Sequence, residues 1–162
     1  MDLVSRIKER LHYDPENGQF TWKIAAGRRY AGKEAGGISV AGYRMIRIFR
    51  KRYFAHRLAF LMVTGKEPDD VTDHANGVRS DNRWANLRAC SQRENMQNMR
   101  ITSKVNTSSG LIGASWSKSG SKWQSQIRVD GKIKHLGYFS TPEDAHSAYV
   151  AAKRKHHALC TL

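Results

Sequence analysis

Residues 71–99 read VTDHANGVRSDNRWANLRACSQRENMQNM, and the fold turns on this stretch. Val71-Thr72-Asp73-His74 is a short strand-like run that ends on a carboxylate and an imidazole. Turn formers follow, first Ala75-Asn76-Gly77 and then Ser80-Asp81-Asn82. Asn, Asp and Ser bond their own nearby backbone, and Gly takes the bends other residues resist. Leu87-Arg88-Ala89-Cys90 reads as a returning strand. Ser91 with Glu94 three residues on has the form of a capping box, which predicts a helix starting there. The order is strand, loop, strand, helix, with a histidine beside a carboxylate at the mouth and Asn95 and Asn98 on the helix.

Working outward, the next question is which partner the bulk chemistry favours. The 162 residues suffice for one ordinary domain or two small ones. Lys and Arg number 28 against 14 Asp and Glu, a formal net charge of +14. Such a surplus favours a polyanion, nucleic acid first and a membrane surface second, with strongly salt-dependent binding. Cys90 and Cys160 lie far apart with no Cys-x-x-Cys spacing, which argues against a disulfide framework and a zinc knuckle. No charged-then-apolar leader opens the chain, and no run approaches the ~20 apolar residues of a membrane span. A cytoplasmic protein, monomeric and with no membrane partner, is the expectation.

Upstream, residues 2–12 predict a short helix with Leu3, Ile7 and Leu11 on one stripe. Asp14-Pro15 and Asn17-Gly18 mark a tight turn into a strand at Phe20-Thr21-Trp22-Lys23. Gly27-Arg28-Arg29 and the glycines up to Gly37 read as an exposed basic loop. Tyr43 to Ile48, a basic turn at Arg50-Lys51-Arg52, and Tyr53-Phe54 predict a hairpin with one apolar and one cationic face. A twisted ribbon of that kind fits a DNA groove, which makes Arg28, Arg29, Arg44, Arg47, Arg50, Lys51 and Arg52 DNA-binding candidates; the plain alternative is a solvated strand face. Residues 55–64 (AHRLAFLMVT) are a buried helix by composition, stopped by Gly65 and Pro68.

Downstream, residues 100–109 are polar and rich in Ser and Thr, and read as a linker. Beyond it come three strand-like runs, residues 111–116, 122–129 and 132–139, with turns at Ser119-Gly120 and Asp130-Gly131. Thr141-Pro142-Glu143-Asp144 then opens a helix with an N-cap, a proline at the first position and acids in the first turn. Ala145, Ala148, Tyr149 and Ala152 form the stripe that would lie on the sheet. The division expected is a domain over 1–99 carrying the basic arm, a linker over 100–109, and a small domain over 110–162.

Taken together, Asp73-His74, Asn76-Gly77, Asp81-Asn82-Arg83, Asn86-Leu87-Arg88 and Glu94-Asn95 with Asn98 resemble the HNH, or His-Me finger, nucleases, and specifically phage-type HNH homing endonucleases. The resemblance implies a ββα-metal core and metal-assisted hydrolysis of a DNA phosphodiester. It implies His74 as general base, Asn86 as the catalytic-site residue that pins the loop, and Asp73 and Asn95 as metal ligands, with Glu94 and Asn98 as fallback ligands. His56 and Arg57 match a His-Arg pair ahead of the motif in similar phage proteins, which implies a structural or phosphate-contacting His56. The chemistry is sound on its own terms. An imidazole titrates near neutral pH and suits a general base. Carboxylate and amide oxygens suit a hard cation, Mg²⁺ or Mn²⁺, that also binds the substrate phosphate.

Two tensions accompany this resemblance. Successive residues of a regular strand point to opposite faces, so Asp73 and His74 share a site only if the strand twists or ends there. Many family members also carry histidine where this chain has asparagine at the third motif position, and a neutral amide is the weaker ligand.

Gly113-Ala114-Ser115-Trp116, Trp123-Gln124-Ser125-Gln126-Ile127 and His135-Leu136-Gly137-Tyr138-Phe139 resemble the Apetala/ethylene-response-factor type of DNA-binding domain, over about residues 110–157. That resemblance implies an exposed sheet face lying in the major groove of double-stranded DNA. Trp116, Lys118, Trp123, Gln126, Arg128, Lys132 and Lys134 are the candidates by alternation, which leaves open which of them face outward. Arg88 is a further DNA candidate, as a phosphate clamp. The fold class expected is α+β: a ββα-metal core with N-terminal antiparallel hairpins, plus a three-stranded antiparallel sheet packed on one helix. The function expected is site-directed, homing-type DNA cleavage, nicking by default because a monomer has one active site. The alternative from another class is a non-cleaving, sequence-specific regulator that keeps the scaffold. A nonspecific nuclease is a third reading, disfavoured by the appended domain.

Overall fold

The computed structural model describes residues 2–25, 30–97, 109–157 and 160. It divides into two compact units, Met1–Ser91 and Gln92–Leu162. The division falls ahead of the expected linker, most of which lies outside the described residues together with Arg28, Arg29 and Asn98.

In the first unit, helix α1 (Leu3–Arg10) starts at Asp2, whose carboxylate accepts from the Ser5 amide at 2.7 Å. The apolar stripe continues past the helix in sequence only. Leu11 leaves the helix to open strand β1 (Leu11–Tyr13), which pairs with β2 (Phe20–Trp22), Leu11 opposite Trp22 and Tyr13 opposite Phe20. Tertiary pairing overrides a weak local helical preference there. Strands β3 (Gly37–Ile38), β4 (Arg44–Ile48) and β5 (Lys51–Phe54) form an antiparallel sheet in that order. Helix α2 (Ala55–Thr64) follows β5 at once and ends on Gly65. It has the bounds its composition predicts.

Strands β6 (Val71–His74) and β7 (Leu87–Cys90) pair antiparallel with Asp73 opposite Arg88 and His74 opposite Leu87. A 3-10 turn at Trp84–Asn86 leads into β7. Ile7, Leu11, Phe20, Ile46, Ile48 and Leu58 are fully or almost fully buried in one core cluster, to which Leu87 belongs. Each such side chain contributes about 1.5–3 kcal/mol by leaving water. The β6–β7 hairpin is therefore tied to the core through Leu87, beside His74.

The second unit begins with the short helix α3 (Gln92–Gln97). Strands β8 (Ala114–Ser117), β9 (Lys122–Val129) and β10 (Lys132–Phe139) form an antiparallel sheet with β9 in the middle. Helix α4 (Pro142–His156) packs on it, and Thr141 caps the helix by accepting from the Asp144 amide at 3.1 Å. Ala145 is fully buried, as the alanine stripe predicts.

Register settles the facing that alternation leaves open. Ala114, Ser125 and Ile127 are buried under α4, and Ala114 pairs with Ser125. Trp116 and Trp123, paired with each other, share that parity, as do Lys132 opposite Val129 and Lys134 opposite Ile127. These four candidates share the helix-side parity by register, although Trp116, Lys132 and Lys134 are exposed and it is Ser117, beside Trp116, that is buried. The opposite parity carries Gln124, Gln126 and Arg128 on β9, with Tyr138, His135 and Ile133 as their partners on β10.

Candidate active site

His74 is the last residue of β6 and is buried, 4 % exposed, while Asp73 beside it is only partly buried. The strand alternates burial through Thr72 and His74, so Asp73 points to the other face. There the Asp73 carboxylate meets Arg88 across the hairpin. Nε and Nη2 of Arg88 both donate to Oδ2 of Asp73, at 3.0 and 2.7 Å. This is the outcome of the strand-alternation tension: the two residues stay neighbours in sequence and the carboxylate engages a guanidinium. Arg88, a phosphate-clamp candidate by sequence, holds the proposed ligand instead.

The loop between the strands is braced by Asn86, which is 8 % exposed. Its Oδ1 accepts from the Asn76 amide at 2.9 Å, and its Nδ2 donates to the Asp81 carbonyl at 2.8 Å. The Asn86 carbonyl also accepts from the Ala75 amide at 2.8 Å. One side chain thus joins both ends of the loop. Asp81 is held by Arg83, whose Nε and Nη2 donate to its two oxygens at 2.9 and 2.6 Å, and by the Asn76 amide group at 2.6 Å. The Arg83 bond, with these other donors, holds the Asp81 carboxyl down to about 2.

Around the His74 ring the structure assembles groups that the motif does not specify. His56, at the start of α2, meets it edge to face with ring centroids 5.1 Å apart. Tyr43 lies 5.5 Å from His56 and 6.1 Å from His74, and Phe54 stacks on His56 at 5.2 Å. Arg79, from the loop after His74, sits over the Tyr43 ring and donates to the Ala41 carbonyl at 2.9 Å. Burial pulls the His56 imidazole down to about 4, helped by the charge of His74 and Arg57. Burial also lowers His74, against the upward pull of an Asn82 hydrogen bond and the Asp73 charge. Both shifts favour the neutral ring, the form a general base requires. Asn82 itself is 2 % exposed, and its Oδ1 lies 3.4 Å from Nε2 of His74.

The segment carrying Asn82 is clamped by the β1–β2 hairpin. The buried Tyr13 hydroxyl donates to the Asn82 carbonyl at 2.7 Å, and the Trp84 amide donates to the Pro15 carbonyl at 2.9 Å. Gly18, at φ +76°, lies so close that a Cβ there would fall 2.4 Å from the Arg83 nitrogen. These partners are up to 69 residues apart in sequence, so no local pattern announces them.

Donor chemistry decides whether a hard cation fits. Among the described residues no three His, Cys, Asp or Glu side chains form a metal cage. Asp73 neighbours His74 in sequence and Asp81 also lies near enough for its charge to act on the ring, and Mg²⁺ characteristically takes one or two carboxylates with waters and substrate phosphate making up the rest. By donor type Asp73 suits such an ion only together with a bound phosphate, and in this structure its carboxylate lies on the face away from His74, against Arg88. Asn95 is half-buried on α3, in the second unit, and Glu94 beside it is also half-buried.

The cationic hairpin is as expected in part. Arg47, Arg50, Lys51 and Arg52 are exposed on β4, β5 and their turn. Arg44 is not, since it pairs with Glu34 at 2.8 Å and donates to the Ala35 carbonyl at 3.2 Å, fastening the sheet from inside. In the second unit Gln126 and Arg128 are exposed on the sheet face away from α4, with Tyr138 and Ile133 more than half exposed alongside. Lys118 is exposed in the turn after β8. Trp116 and Trp123 pack edge to face at 5.2 Å on the other parity.

Three comparisons bear on these features. Residues 53–97, which run from β5 through α2 and the β6–β7 hairpin to the end of α3, match the family model of HNH endonucleases. No curated protein matches the chain. A solved structure described as DNA binding and cleavage by the HNH homing endonuclease I-HmuI is similar at 22 % identity, over 92 % of this chain and 88 % of that one, with a TM-score of 0.46.

Proposed function

We propose that this protein is a metal-dependent DNA endonuclease of the homing type, in which His74 is the general base for hydrolysis of a phosphodiester. One observation carries the reading: a buried histidine ends a strand at a loop cross-braced by Asn86, inside the stretch that matches the HNH endonuclease model. The net charge of +14 supports a polyanionic substrate, and exposed cations on both units give it surfaces to bind.

In the mechanism, His74 takes a proton from water as that water attacks phosphorus, and Asn86 keeps the loop holding His74 from shifting. Asp73 would be the residue to hold a Mg²⁺ or Mn²⁺ ion, which would supply charge stabilisation at the phosphate and the leaving 3′ oxygen. Arg88 orients the Asp73 carboxylate, as hydrogen-bonded partners of metal ligands commonly do. The Arg47–Arg52 hairpin and the outward sheet face around Arg128 track double-stranded DNA. With one such site per monomer, nicking is the expected product.

Supercoiled plasmid carrying DNA of the protein's own host tests the reading. Conversion to open circle with Mg²⁺ or Mn²⁺, and none with EDTA, is expected. Intact plasmid despite sequence-dependent retardation in a gel would favour a non-cleaving regulator instead.

A further inference from the structure

The side chain of Asn82 raises a question of atom identity: its oxygen or its nitrogen faces His74, and the choice fixes where the imidazole proton sits. The hydrogen-bond network answers it. Nδ2 of Asn82 donates to the Ser80 carbonyl at 2.9 Å. A carbonyl only accepts, so turning the amide over would set two oxygens against each other. Oδ1 is therefore the atom 3.4 Å from Nε2 of His74. An amide oxygen also only accepts, so a bond between them requires the hydrogen on Nε2. A neutral imidazole carries one ring proton, and Nδ1 is left with its lone pair.

The site is built to keep that arrangement. Asn82 is 2 % exposed, so bulk water scarcely competes for its amide. Its backbone is tied by Tyr13, and the neighbouring Trp84 by Pro15, both from the N-terminal hairpin. His56 closes another side of the ring edge to face. We infer that Asn82 is the positioning residue that holds His74 in its Nε2–H tautomer and presents Nδ1 as the basic nitrogen. The catalytic meaning of that assignment rests on His74 being the general base. The tautomer itself does not.

The spacing of 3.4 Å is long for a hydrogen bond, and catalytic contacts commonly tighten when substrate binds. The β1–β2 hairpin then has a role of its own. It holds the Asn82 backbone in place, and through it the base.

The test is nitrogen NMR of the uniformly ¹⁵N-labelled full chain, without DNA or metal, at a pH where His74 is neutral. The expected spectrum shows a His74 ring proton on Nε2 and a lone-pair shift at Nδ1. A ring proton on Nδ1 overturns the inference outright, and this reading needs no variant to fold. Asn82→Leu, which removes the acceptor, is expected to lose the protected Nε2 proton and to lower kcat with KM unchanged, by less than the roughly 10²–10⁴-fold that loss of the general base itself costs. An Asn82→Leu protein with the wild-type ring spectrum and wild-type kcat overturns the positioning role. A wild-type chain that shows the Nε2–H form but cuts no DNA with any metal upholds the tautomer assignment and refutes the nuclease reading, so the two failures are distinct.

Discussion

Gly18→Ala measures how tightly the N-terminal hairpin grips the loop that carries Asn82. An added Cβ would lie 2.4 Å from the Arg83 nitrogen and 2.5 Å from the Asn82 carbonyl carbon, against 3.4 Å or more for ordinary contact. Both neighbours are backbone, so the strain is relieved only by moving one chain segment about 1 Å from the other, a shift of the kind that overpacking imposes. Gly32→Ala is the control. Its φ of +78° nearly equals the +76° of Gly18, yet nothing lies within 4 Å of its Cβ. The left-handed penalty of about 1–2 kcal/mol is therefore common to both substitutions.

What remains for Gly18→Ala is the overlap, typically about 1–3 kcal/mol, together with weakening of the Tyr13–Asn82 and Trp84–Pro15 bonds, each worth roughly 0.5–1.5 kcal/mol. Gly18→Ala should fall below Gly32→Ala in stability by about 2–4 kcal/mol. Urea unfolding followed through the amide signals of α2 reads the first unit alone. The same spectra should show the His74 ring resonances shifting in Gly18→Ala only. Equal stabilities within ~0.5 kcal/mol, the usual scatter of surface substitutions, would refute the close approach.

Two further outcomes follow from the charges. His56 takes its proton near pH 6.5 in the unfolded chain and only near 4 when folded, so its contribution is complete above pH 6.5 and is lost as pH falls toward 4. The linked stability is roughly 3 kcal/mol, and urea unfolding of His56→Phe between those pH values should show a correspondingly shallower decline than wild type. In the second unit, Arg128→Ala should weaken DNA binding and reduce the slope of log K against log salt by about 0.9, the value for one phosphate contact. Lys134→Ala, on the helix-side parity, should change that slope less. Equal changes in the two variants would reverse the facing of the sheet.

The elements that sequence made legible are those written in local chemistry. Residues 55–64 are apolar enough to be a buried helix and end on Gly65; Thr141-Pro142 starts α4; Asp130-Gly131 turns β9 into β10. The loop brace at Asn86 came from the family resemblance, since by itself an asparagine there reads only as a turn former; its bonds to Asn76 and Asp81 fit that role. The surroundings of His74 were not. Tyr43 and His56 come to it, and Tyr13 and Gly18 to the neighbouring Asn82 segment, from other elements, and their spacing to the motif carries no periodic signal. The Asp73–Arg88 pair lay in between. Both residues belong to the quoted stretch, and a cross-strand register drawn from the hairpin would have set the carboxylate opposite the guanidinium. In the C-terminal sheet, alternation gave two faces without saying which one α4 covers, so it left open on which side the two tryptophans lie.

The most direct test of the account is to measure cleavage and binding together for His74→Ala on a host-DNA duplex containing the cut site. General-base removal typically costs about 10²–10⁴ in rate, while DNA affinity is set by groups elsewhere on the surface. The account predicts a cleavage rate lower by about that factor with the dissociation constant within about twofold of wild type. Cleavage by His74→Ala at the wild-type rate, or loss of binding as large as the loss of cleavage in a folded protein, would contradict it.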